Sequence, residues 1–166
     1  MKLIVAVDRN WAIGNNNELL VRIPEDMKRF RAFTTDNVIV MGRHTLESFP
    51  NGRPLQNRVN IVMSRRENYS VKNAITVKNV EELDKALEDY KEREVYVVGG
   101  DSIYHLLLDR CDEAIVTEID FAYDADRFFP NLAENPDWEE TERSEEQTYY
   151  DLVFHYVTYK RKNKKS

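Results

Sequence analysis

Residues 95–104 read VYVVGGDSIY: four β-branched or aromatic residues, two glycines, then an acid and a serine that open a helical pattern. A run apolar at every position, rather than at alternate ones, belongs to a strand covered on both faces. Glycines between such a strand and a helix start mark a tight strand-to-helix turn, with Asp101 or Ser102 as the expected helix cap. Similar apolar runs occur at 3–7 (LIVAV), 38–41 (VIVM), 60–64 (NIVMS), 74–77 (AITV), 114–119 (AIVTEI) and 152–160 (LVFHYVTYK). Helical patterns are expected at 24–34, 44–48, 80–90 and 102–108. This alternation predicts an α/β fold with a mixed, mainly parallel central sheet flanked by helices. The last two runs have no helix between them and should pair antiparallel at the C-terminal edge. The stretch 10–22, NWAIGNNNELLVR, is long and Asn-rich and is expected to be a mobile loop.

The 166 residues, 42% of them hydrophobic, suffice for one substantial core, so a single domain over 1–160 is expected, followed by a basic tail at 161–166. One cysteine, Cys111, excludes an internal disulfide, and His44, His105 and His155 lack metal-ligand spacing, so no metal is expected. The first apolar run is short and meets charge early, which fits a strand rather than a signal peptide or membrane span; a cytoplasmic protein is expected. A net charge of −6 argues against broad nucleic-acid binding. The acidic stretch 134–146 and the basic end 160–166 read as solvated segments.

Three segments place polar groups just past a strand, where open α/β sheets gather ligands. VIVMGRHT offers Gly42, Arg43, His44 and Thr45; NIVMSRR offers Ser64, Arg65 and Arg66; VYVVGGDSIY offers Gly99 and Gly100. Each alone also fits a solvated surface or a tight turn. Side by side, they would converge as a polyphosphate ligand requires, although neither GxGxxG nor GxxxxGK[ST] is present. A separate anomaly lies in IPEDMKRF, 23–30. At about 100° per residue Ile23, Met27, Phe30 and Phe33 share one stripe, and Asp26 lies within it. Two readings are open: a first-turn acid favouring a helix N-terminus, or a pocket carboxylate that binds and helps protonate a nitrogen-rich ring.

In order along the chain, AIG (12–14), IPEDMKRF, VIVMGRHTLESF (38–49), GRPLQNRVNIVMS (52–64), VYVVGGDSIY, TEID (117–120) and FFP (128–130) resemble dihydrofolate reductase over nearly the whole sequence. The resemblance implies that family's fold and NADPH-dependent reduction of 7,8-dihydrofolate to tetrahydrofolate, with hydride passing to pterin C6 and a proton to N5. It makes Asp26 the pocket acid and Thr117 the hydroxyl that supports it. Ile4, Val5, Ala6, Met27, Phe30, Phe49, Leu55 and Val98 would line the pterin and aminobenzoyl pocket. Arg58 would pair with the glutamate α-carboxylate, and Arg53 would add a peripheral charge. NADPH would lie along Gly42, Arg43, His44, Thr45, Ser64, Arg65, Gly99, Gly100, Asp101, Ser102, Ile103 and Tyr104. Arg43, Ser64 and Arg65 would meet its 2′-phosphate, and Gly99 and Gly100 match a pair the family joins by a cis peptide. Ala6 and Ile13 would meet the nicotinamide carboxamide, and Ala12, Ile13, Gly14, Asn15, Asn16, Asn17 and Glu18 would form a lid.

The resemblance further implies antifolate binding, a monomer, and a place in one-carbon metabolism and thymidylate synthesis. Asp rather than Glu at position 26 is similar to the bacterial branch. The chain departs from the family at Leu20 and Val21, where a Trp is usual. Two alternatives stand beside this reading: another NADPH-dependent pteridine or pyrimidine reductase of the same fold, which would not need Asp26 and Arg58 together, and a non-catalytic nucleotide-binding module.

Overall fold

Every apolar run becomes a strand, and the computed structural model, which describes residues 1–16 and 18–162, gathers them into one sheet. The elements are β1 (Lys2–Val7), β2 (Ala12–Asn15), β3 (Glu18–Leu19), α1 (Pro24–Thr34), β4 (Val38–Gly42), α2 (Arg43–Ser48), β5 (Val59–Met63), β6 (Ile75–Val77), α3 (Val80–Leu87), β7 (Val95–Gly99), α4 (Asp101–Leu107), β8 (Glu113–Ile119), β9 (Arg127–Phe128), β10 (Trp138–Arg143), β11 (Gln147–Tyr149) and β12 (Leu152–Arg161). The large sheet runs β10-β12-β8-β1-β7-β4-β5-β6, with β11 paired to β12. From β8 to β6 all pairings are parallel, and β12 joins β8 antiparallel.

Alternation along the strands divides the core between two faces. Leu3, Val5 and Val7 of β1 belong to the cluster that holds Leu83 of α3 and Ile103 and Leu107 of α4. Ile4 belongs instead with Ile39, Met41 and Leu46, against which Phe30 and Phe33 of α1 pack. Helices therefore cover both faces, and the parallel strands need no polar side. Their carboxyl ends, at Val7, Gly42, Met63, Gly99 and Ile119, open on one rim of the sheet.

Several expectations need correction. The antiparallel C-terminal edge holds but extends one strand further: β10 lies outside β12, within the acidic stretch read as merely solvated. WEETER carries no apolar alternation because only Trp138 is buried, while the exposed charges suit an edge strand by discouraging further pairing. The stretch 10–22 contains β2 and β3, which form a small sheet with β9 rather than an unstructured loop. Buried Asp8 anchors its entrance: Oδ1 accepts from the amides of Asn10 and Ala12, and Oδ2 from that of Tyr123 at 2.9 Å. α4 is capped by neither Asp101 nor Ser102; Gly100 is the N-cap and Asp101 already the first helical residue. The basic end also begins later than expected. Arg161 completes β12, donates to the carbonyls of Leu108 and Cys111, and lies 4.7 Å from the Trp138 ring centroid. Residues 163–166 of that tail, and Asn17 of the expected lid, lie outside the described residues.

Candidate active site

Along the carboxyl rim of the sheet runs a cleft of about 1220 Å³, walled by β1, α1, α2, α4 and the turns after β4, β5, β6 and β7. Pro24 opens α1 with Glu25 and Asp26 in its first turn, a start favoured by the positive end of the helix dipole. The apolar stripe of α1 faces this cleft as well as the core. Met27 is 44% exposed and Thr34 is the one buried residue of the helix, so the stripe is the wall of a pocket.

Asp26 lines the apolar part of that wall, and its Oδ1 accepts a hydrogen bond from the hydroxyl of Thr117, a buried β8 residue. Burial pushes the Asp26 carboxyl above the usual carboxylate range, while the bond from Thr117 and the charge of Arg29 pull it back. Ile4, Val5, Ala6, Phe30, Phe49, Leu55, Val98 and Met27 all share the lining. Arg58 does too, already oriented: its Nε donates to Thr34 Oγ1 at 2.8 Å and its Nη1 to the Gln56 carbonyl at 2.9 Å. Thr34 in turn donates to the Phe30 carbonyl, which ties Arg58 to the body of α1. Arg53 is exposed and lies outside the lining.

At the other end Gly42, Arg43, His44, Thr45, Ser64, Arg65, Gly99, Gly100, Asp101, Ser102, Ile103 and Tyr104 come together, joined by Ile13 and Gly14. Ala12 is fully buried, neither Asn15 nor Asn16 belongs to the lining, and the side chain of Glu18 lies outside the described residues. Arg43 gives Nη1 to both carboxylate oxygens of Glu47 at 3.0 Å, which holds its guanidinium in place beside the turn. The Gly99–Gly100 peptide is cis. Gly99 sits at φ +132°, and a Cβ there would come 3.2 Å from Thr45 Oγ1. Backbone of this kind lets a bulky anionic ligand approach the main chain closely. Basic groups at one end, glycines against a helix start and an apolar far end together fit a phosphorylated dinucleotide. Gly99→Ala is expected to lower the unfolding free energy by about 1–3 kcal/mol and to weaken binding of such a dinucleotide. Thermal unfolding and a fluorescence titration with NADPH measure the two effects.

Sequence reasoning missed Lys78, which lines the phosphate end and pairs with Glu67 at 3.0 Å. The rule that selected Ser64 and Arg65 would have found it, since Lys78 stands one residue beyond β6. Arg29 and Arg31 of α1 and Leu20, Val21 and Ile23 before it were also missed as lining residues. Among the described residues no cluster of His, Cys, Asp and Glu could hold a metal ion, and no helix is long and apolar enough to cross a membrane.

The family model for dihydrofolate reductase matches residues 1–161. Dihydrofolate reductase HdrB of Haloferax volcanii is 35% identical over 166 residues, covering 96% of this chain and 82% of its own. The dihydrofolate reductase of Haemophilus influenzae is 34% identical over 165 residues, covering 95% and 98%. A solved structure of dihydrofolate reductase from Enterococcus faecalis, complexed with NADP(H) and RAB-propyl, matches with a TM-score of 0.83 at 29% identity. The match covers 98% of this chain and 96% of that one.

Proposed function

Because the chain belongs to the dihydrofolate reductase family and is an oxidoreductase of bacterial type, we propose that it reduces 7,8-dihydrofolate to 5,6,7,8-tetrahydrofolate with NADPH, Asp26 being the pocket acid. The observation that carries this reading is the position of Asp26: a carboxylate in an apolar wall, held by one hydroxyl and open to the cleft. Among the described residues, the other acids of the lining are Asp101 and Glu81, in the first turns of α4 and α3 at the basic end.

NADPH, when bound, supplies the hydride from its nicotinamide C4. The protein's own contribution is binding, orientation and charge. Asp26 accepts hydrogen bonds from the 2-amino group and N3 of the pterin, and Thr117 fixes the rotamer in which it can do so. The negative carboxylate stabilises the cationic ring that forms as N5 gains its proton, an effect that is larger in a water-poor pocket. The backbone of Ala6 and Ile13 holds the carboxamide, and Arg58 takes the glutamate α-carboxylate through a bidentate contact. Arg43, Ser64 and Arg65 favour the 2′-phosphorylated cofactor. β2, carrying part of the lid, is braced by β9 and the residue before it: Asp126 N donates to the Gly14 carbonyl and Asp126 Oδ2 accepts from Asn16 N, each at 3.1 Å. That bracing suits a flap that excludes water during transfer.

The product would feed one-carbon metabolism and thymidylate synthesis in the cytoplasm, the protein acting as a monomer and binding antifolates in the pterin pocket. The test is the initial rate of NADPH oxidation with dihydrofolate. Turnover supports the proposal, whereas NADPH binding with no turnover would favour a different reductase or a binding module. A second expectation concerns Val21, which packs with Ile23, Ile119 and Phe154 where the family usually has Trp. Val21→Trp adds an indole donor and contact area, so kinetics or antifolate affinity should change by several-fold with the reaction unaltered. Steady-state constants and inhibition constants unchanged by the substitution would remove any role for this departure.

A further inference from the structure

One turn beyond Asp26, α1 carries a charge for which the proposed reaction has no assigned use. The guanidinium of Arg29 lies over the Tyr156 ring, 4.0 Å from its centroid, and 5.1 Å from that of Phe33. Its Nη1 is buried and has no hydrogen-bond partner, and no carboxylate pairs with it within 4.0 Å, among the described residues. A cation placed so is poorly compensated by aromatic faces alone. The nearby opposite charge is Asp26: i,i+3 spacing sets the two side chains on one side of the helix, and both line the cleft. Tyr156 stands directly opposite Thr117 in the β8–β12 register, and Thr117 is the donor to Asp26. The acid, its hydroxyl, the cation and the ring that holds the cation thus form one assembly across α1, β8 and β12.

We propose that Arg29 is a positioning residue for the reaction: held on the Tyr156 ring with no partner of its own, its guanidinium keeps the Asp26 carboxylate ionised inside an apolar wall. The role matters to catalysis only if Asp26 is the pocket acid, as argued above. Other polar and titratable groups face the pair from each element packed around it. From α1 there is also Glu25, exposed and paired with Lys28 at 3.4 Å. From β8 there is Thr117, and from α4 Tyr104, whose hydroxyl donates to the Ile4 carbonyl at 2.7 Å. From β12 there is Tyr156, while His155 points to the opposite face of the strand. Burial pushes both tyrosines above the usual phenol range, so they stay neutral at working pH. Burial lowers Arg29 and the neighbouring Tyr156 and Asp26 raise it again, and an arginine so placed remains cationic. Asp26 is therefore the group whose charge responds when Arg29 is changed.

The test compares the native protein with Arg29→Gln and Arg29→Lys. The Asp26 titration is followed by carbon-13 NMR of aspartate-labelled, ligand-free protein and assigned with Asp26→Asn. Loss of a nearby cation raises a carboxyl midpoint, here by about 0.5–1 pH unit in Arg29→Gln, with Arg29→Lys returning towards native. The falling limb of the pH profile for hydride transfer should rise by the same amount, whichever atom of the acid and ring pair carries the proton. Above that limb Arg29→Gln would then transfer hydride about 3–10-fold faster than the native protein. Tyr156→Leu, which frees the guanidinium while keeping its charge, gives an independent reading and should also raise the midpoint. An Asp26 midpoint unmoved in Arg29→Gln, or moved equally far by Arg29→Lys, overturns the proposal. A moved midpoint with an unmoved rate profile upholds the coupling of Arg29 to Asp26 and overturns instead the assignment of Asp26 to the reaction.

Discussion

Asp26→Asn is expected to lower kcat for dihydrofolate reduction at neutral pH by about 10²–10⁴-fold, the range in which a positioned acid or base contributes. The substitution is nearly isosteric, and the amide oxygen can still accept the bond from Thr117, so the loss isolates the charge. Stability should move the other way. Burial raises the folded-state pKa of Asp26, so between its unfolded and folded values the native state holds the extra proton. Stability then falls as pH rises through that window, and the cost persists at neutral pH. Asp26→Asn should therefore unfold at a higher temperature than the native protein at pH 7, with the difference vanishing below about pH 4. Single-turnover rates and thermal unfolding at both pH values give the result. A variant that is equally active at pH 7 makes Asp26 a first-turn helix residue and nothing more.

The sequence alone revealed α1 and the two glycine-bearing strand-to-helix turns because each rests on local chemistry: Pro24 at a helix start, glycines at 42, 99 and 100, apolar runs covered on both faces. Periodicity located Asp26 but could not say what its stripe faced. A pocket wall and a core face have the same pattern, and only the exposure of Met27 separates them. β10 was hidden because five of its six residues are exposed, so no alternation marks it. The small sheet was hidden for a different reason. β2 is paired with a distant partner, β9, which no window along the chain brings beside it. Arg29 shows the same limit at the site, since its meaning depends on Tyr156, 127 positions later and on another element.

Arg58→Gln is the second substitution expected to act strongly, and it probes the far end of the cleft from the chemistry. Removing one partner of a charge-assisted, bidentate pair costs about 2–5 kcal/mol, and the half-buried setting of Arg58 places it near the lower bound, about 2–3 kcal/mol. That corresponds to a rise of about 30–150-fold in KM for dihydrofolate. kcat should change little, because the proposed α-carboxylate contact would be equally present in ground and transition states. Arg58→Lys should recover only part of the loss: its ammonium lacks the planar fork and cannot replace the bond from Nε to Thr34 in the same geometry. A reduced pterin substrate without the glutamate should be insensitive to either change. The combination separates the readings of this cleft. A pyrimidine reductase has no α-carboxylate to lose, so Arg58→Gln would leave its KM unchanged, whereas a dihydrofolate reductase must show a loss confined to the glutamate-bearing substrate.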